Sequence, residues 1–133
     1  MEVLIERGEI LKVLYSFYTE VMHNQILKNH FEVLHTNFNG HVENIADFWD
    51  LTLNSKRKMK NPSNSKFDVI GVHLSLKPTQ ADLEEWIKLF KECLFSYAEG
   101  DQGKLERVRK WWKITLNIKK FFELKIINND ANN

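Results

Sequence analysis

A single cysteine, Cys93, excludes an intramolecular disulfide framework and a multi-cysteine zinc site, and it is compatible with a reducing compartment. No apolar run approaches the roughly 18 residues that a membrane span requires. The N-terminus carries Glu2 and Glu6 and lacks the basic-then-apolar pattern of a secretory signal, so the expected location is cytoplasmic. Charge of one sign is also missing. Lys and Arg number 19 against 18 Asp and Glu, a net +1, too little for a protein built around a polyanion. The chain has no Gly-rich phosphate loop, no closely spaced His pair for zinc, and no Ser or Cys with a base at a recognisable spacing. The basic run "SKRKMK" and the Lys/Arg-rich C-terminal stretch read as solvated faces, the latter interrupted by Glu106 and Glu123. Neither nucleic acid nor a membrane is an expected partner.

What remains is 133 residues, enough for one domain with a core, at an ordinary 43% hydrophobic and 28% charged. The 9 Phe and 4 Trp are generous for this length. Such bulk fills a core or lines a cavity for a flat apolar ligand, and composition does not choose between them. Helical periods organise the chain. Ile10, Val13, Leu14, Phe17, Tyr18 and Val21 follow the i, i+3, i+4, i+7 rule and predict a helix from about residue 8 to 22. Phe38, His41, Val42, Ile45, Trp49 and Leu53 predict a second. Residues 54–66, with Pro62, read as a polar, basic loop. "FDVIGVHLSL" has strand-like Val and Ile content, but lacking a partner strand it is read as a short helix or irregular turn. Thr79 followed by Asp82 resembles a capping box and opens a helix marked by Leu83, Trp86, Ile87, Phe90, Leu94 and Tyr97, ending near Gly100. A last helix is predicted over about 102–125, with Leu105, Val108, Trp112, Thr115, Leu116 and Phe122 inward. The reading is one domain over residues 1–127 and a polar, disordered tail over 128–133.

Five histidines are present, and two are informative. His41 lies on an apolar helical face and His73 in an otherwise apolar short segment. Imidazole is neutral near pH 7 and binds iron without first losing a proton. A packed histidine satisfied by a backbone carbonyl is the ordinary reading of each, and a metal ligand is the functional one. Tyr18, on the inward stripe, needs a partner for its hydroxyl, either a backbone carbonyl or a bound ligand. Trp86, whose indole N–H only donates, carries the same pair of readings.

Taken together, these residues resemble the truncated haemoglobins, in particular the bacterial group III subfamily, in order and spacing across most of residues 10–95. "FYTEV" resembles the family's Phe-Tyr pair, which makes Tyr18 the distal tyrosine. Phe31, in "NHFEVL", falls where the family keeps a phenylalanine stacked on the haem. "HVENIADFW" resembles the distal-helix signature, making His41 the distal histidine, Ile45 the aliphatic residue one turn on, and Phe48 and Trp49 pocket wall. "VHLSL" before "LEEWIKLF" resembles the proximal histidine and the helix that follows it, so that His73 is the iron ligand and Trp86 the pocket tryptophan. Where the family often has a Gly-x-Pro element before that histidine, this chain reads "KFDVIGVH", and it has adjacent Trp111 and Trp112 where relatives tend to use smaller residues.

The resemblance implies an all-α truncated globin fold: a helical sandwich around one haem b (iron protoporphyrin IX), with four main helices and short extra helical turns. Phe17, Phe31, Ile45, Phe48, Trp49 and Trp86 would hold the cofactor, His73 would bind the metal, and Tyr18, His41 and Trp86 would stabilise its ligand. Dioxygen on ferrous iron becomes partly negative, and one charge-assisted hydrogen bond to it contributes roughly 1.5–3 kcal/mol. Two such donors slow release by orders of magnitude, since about 1.4 kcal/mol is a factor of ten. This argues against simple oxygen delivery and for tight binding of dioxygen, nitric oxide, carbon monoxide or peroxide by a monomer or weak dimer. Two alternatives stand beside it. One is a haem redox enzyme, a nitric-oxide dioxygenase or peroxidase-like protein fed by an external reductase. The other is a haem-free helical interaction module.

Overall fold

The computed structural model describes residues 5–28, 36–54 and 79–131, with side chains as far as Ile126. Phe31, His73, most of the loop expected over 54–66 and the "FDVIGVHLSL" segment lie outside the described residues.

Four long helices carry the fold: α1 (Arg7–His23), α2 (Phe38–Leu53), α3 (Gln80–Tyr97) and α4 (Gln102–Ala131). The chain is all-helical among the described residues, and no described helix is long and apolar enough to cross a membrane. Each helix forms where its periodic apolar face and its end signals coincide. On α1 the buried residues are Ile10, Val13, Leu14, Phe17, Tyr18 and Val21, the stripe expected from spacing alone. Helix α2 starts at Asn37, whose Oδ1 accepts the Gly40 N–H at 3.2 Å. A Cβ on Gly40 would meet the tip of the Asn37 side chain, so a larger residue there would displace the capping amide from this position. The Thr79–Asp82 capping box is present in both directions: Asp82 N–H donates to Thr79 Oγ1 at 3.1 Å, and Thr79 N–H to Asp82 Oδ2 at 2.9 Å. Gly100, at φ 80°, makes the turn out of α3, and Asp101 Oδ1 receives the Lys104 N–H as α4 begins.

Helix α1 packs on α2 and α3, α3 packs along α4, and α2 meets α4. Burial on α4 corrects the expected inward face. Trp111, not Trp112, is the fully buried tryptophan, and Leu116 is 36% exposed. Helical rotation is the reason. Val108, Trp111 and Thr115 share one stripe at three- and four-residue spacing, and the next residue along from Trp111 or Thr115 sits about 100° away. Helix α4 also continues to Ala131, past residue 125.

Two polar clamps fix the helices in place. Glu9 on α1 accepts from Tyr97 Oη of α3 at 2.8 Å and from Arg107 Nη2 of α4 at 2.7 Å. Arg107 Nε lies 2.7 Å from the other Glu9 oxygen as an ion pair, off the line of its N–H bond, so Nη2 carries the directed hydrogen bond. The second clamp uses Asn54, expected in a solvated loop but fully buried. Its amide accepts from Ile5 N at 3.1 Å, donates to Ile5 O at 2.9 Å and donates to Asp50 Oδ1 at 2.8 Å. These bonds pair both backbone groups of Ile5, a residue buried in the core that sequence spacing did not reveal.

Candidate functional site

The expected site residues on the described helices come to one region. Tyr18 from α1 and His41 from α2 meet edge to face, with ring centroids 4.9 Å apart and planes at 89°. Phe17, adjacent on the α1 stripe, stands edge-on to Trp86 at 5.5 Å and to Phe90 at 5.0 Å, both on α3. Trp86 and Phe90 stack at 5.3 Å, and Trp49 of α2 stacks on Phe90 at 5.9 Å. Ile45, one turn after His41, is buried, and Phe48 is half-buried with its ring edge on Trp49 at 5.1 Å. Three helices thus deliver a phenol, an imidazole and an indole into one aromatic core.

Periodicity explains the convergence. His41, Ile45 and Trp49 recur every four residues and share the inner face of α2, as Trp86 and Phe90 do on α3. Phe90 is the hub, since Phe17, Trp49, Trp86 and Trp111 all contact it. Sequence reasoning placed Phe90 on an inward face without assigning it to the site, although its spacing four residues from Trp86 was the available signal. Trp111, whose packing the sequence left open, lies beneath this cluster at 5.4 Å from Trp49.

Electrostatics narrows what the polar members can do. Burial pushes the Tyr18 phenol far above its ordinary range, so its hydroxyl stays protonated and retains a proton to donate. Trp86 Nε1 is buried and has no hydrogen-bond acceptor among the described residues, and the same holds for Trp111 Nε1. An unpaired buried donor costs about 1–3 kcal/mol, so native proteins keep few of them. That of Trp86 adjoins the Tyr18–His41 corner through Phe17, which also contacts Tyr18 at 4.9 Å. By contrast, burial raises the half-buried Cys93 thiol, which stays protonated and is a poor nucleophile.

Tyr18 and Trp86 could donate to a polar ligand on a haem, but the packing would limit where such a macrocycle could sit. A flat ring sandwiched between side chains needs roughly 7 Å between them, two van der Waals contacts of about 3.5 Å each. Centroid spacings of 5.0–5.9 Å among Phe17, Trp49, Trp86 and Phe90 leave no such slot inside the cluster. The cluster is a closed wall, and a planar ligand would have to lie outside it rather than between its rings. No group of three or more His, Cys, Asp or Glu among the described residues could hold a metal ion. Haem iron needs a single axial side chain from the protein, so that result does not bear on it.

Comparison with protein-family models, with curated proteins and with solved structures finds no match for this chain.

Proposed function

We propose that the chain is a haem protein of the truncated-globin type, holding a small polar ligand beside Tyr18, His41 and Trp86. The observation that carries the reading is that Tyr18 meets His41 and, through Phe17, adjoins Trp86, whose buried N–H has no acceptor among the described residues. Phe17, Ile45, Phe48, Trp49 and Trp86 would form the wall that excludes water. Phe31 would complete it, and His73 would hold the iron. The haem would contribute an iron able to bind dioxygen, nitric oxide, carbon monoxide or peroxide. Tyr18, held protonated, and Trp86, which can only donate, would then stabilise negative charge on the bound ligand.

A second reading has an observation of its own. The ring contacts around Phe90 close on themselves without a slot, as they would in a helical interaction module that takes no haem. One ultraviolet–visible titration separates the two. Stoichiometric uptake of haemin, a Soret band that shifts on reduction and carbon monoxide addition, and loss of the proximal-histidine spectrum in His73→Gly support the haem protein. A chain that leaves haemin free, with near-ultraviolet circular dichroism showing a packed core, sinks it.

A further inference from the structure

The aromatic core faces inward, but α4 has a second organised face on its outside. Lys113, Leu116, Asn117, Lys120, Phe121 and Leu124 follow i, i+3, i+4, i+7, i+8 and i+11, and all six are exposed. Five large hydrophobic residues are exposed among the described residues, and three fall on this one face: Leu116 at 36%, Phe121 at 42% and Leu124 at 61%. Lys125 extends its chain over the Phe121 ring, with Nζ 5.4 Å from the centroid. The only acid between 113 and 126 is Glu123, and Gln80 Nε2 of α3 donates to its Oε2 at 3.3 Å, so it turns away from the exposed stripe. From Gln102 to Ile126 the helix carries eight Lys and Arg against two Glu, and with Arg107 paired to Glu9 of α1 an excess of five cations remains, in a chain whose total is +1.

We infer that this face of α4 docks on an anionic phospholipid surface, with Leu116, Phe121 and Leu124 entering the headgroup boundary and the lysines contacting lipid phosphates. Interfacial binding of a helix grows with the apolar area that enters the headgroup boundary and with the attraction of its cations to anionic lipid, and this face offers both. The surrounding charge selects an anionic layer over a neutral one. A second copy of the chain is disfavoured, because a two-fold contact through this face would set lysines against lysines. Over residues 113–125 every cation is a Lys, a compact point charge on a flexible stem that suits a diffuse layer of phosphates, and the exposed Arg109 lies one turn before them. Arg would be the expected choice for bidentate pairing with the carboxylates of an acidic protein. The inference is independent of the haem reading.

The test is co-sedimentation of the full chain with vesicles of phosphatidylcholine alone and of phosphatidylcholine mixed with phosphatidylglycerol. Binding to the mixed vesicles, weakened by salt and absent from the neutral ones, is expected. Charge reversal by Lys113→Glu with Lys120→Glu lowers partitioning by at least about 100-fold. Leu124→Ser lowers it roughly tenfold, whereas Leu51→Ser, at an exposed site on α2, leaves it unchanged. These positions are on the surface, and unchanged far-ultraviolet circular dichroism shows that each variant is folded. Absence of binding to the mixed vesicles overturns the inference. So does binding that Leu124→Ser does not weaken, which would be adsorption by charge alone. Equal retention on polyglutamate, insensitive to Leu124→Ser, overturns it in favour of an acidic protein.

Discussion

Trp86→Phe separates a packing role from a ligand-binding role, because the two predict opposite signs. Trp86 stacks on Phe90 and meets Phe17 edge-on, contacts that a phenylalanine ring keeps in large part. The substitution removes the second ring of a half-buried indole, and the lost apolar burial costs about 1 kcal/mol. It also removes an N–H with no acceptor among the described residues, which relieves about 1–3 kcal/mol. The apoprotein should therefore keep its stability or gain up to about 2 kcal/mol, a rise in Tm of up to roughly 8 °C for a domain of this size. Denaturant unfolding of wild type and variant, followed by tryptophan fluorescence and circular dichroism together, measures this if both probes give one transition. With haem and dioxygen bound, the same variant lacks a donor, and dissociation should speed up by roughly 10–100-fold. A loss of more than about 1 kcal/mol in the apoprotein would show that Nε1 has an acceptor in the folded chain, and the donor argument would then fail.

Replacing Tyr18 with Phe should speed dioxygen release from the haem-loaded protein by at least about tenfold, and an unchanged stopped-flow rate would remove the phenol from the site. Asn54→Ala leaves both backbone groups of Ile5 unpaired in the core, with an expected loss of about 2–4 kcal/mol; retained protection of the Ile5 amide in hydrogen exchange would contradict it. At the Glu9 clamp, burial favours the protonated acid, but the hydrogen bonds from Arg107 and Tyr97 outweigh it and hold the carboxyl below its usual range. Because the folded pKa is the lower one, the clamp's stability is fully present above the unfolded value of about 4.3 and is lost as pH falls through the folded value. Glu9→Gln should flatten stability against pH over that acid window, and a curve still parallel to wild type would exclude the clamp as its source. Burial and, second to it, the hydrogen bond to Glu9 push the Tyr97 phenol up to about 12, so a spectrophotometric titration of Tyr97→Phe should lose one late-titrating phenol.

The inner faces of α1 and α2 were legible because their apolar residues recur at helical spacing over the whole length of each helix. The start of α3 was legible because a capping box is a local hydrogen-bond pattern four residues long. Tyr18, His41 and Trp86 could be singled out as inward polar groups for the same reason: an amphipathic face shows a polar intruder. Helix α4 was harder. Its two adjacent tryptophans and scattered aliphatics offer several stripes about 100° apart, and contact with α2 and α3 selected the one through Trp111.

Local periodicity in the sequence thus determined which segments become helices and which side chains point inward, because both depend on neighbours three or four residues away. Tertiary structure decided the rest. It placed Phe90 at the centre of rings from α1, α2 and α4, joined Glu9 to Tyr97 and Arg107, and buried Asn54 against Ile5. Each of these links residues far apart in the chain, and spacing carries no information about which helix faces meet. The same packing left one cationic, apolar stripe of α4 outside, and a surface of that kind exists only once the opposite face has been covered.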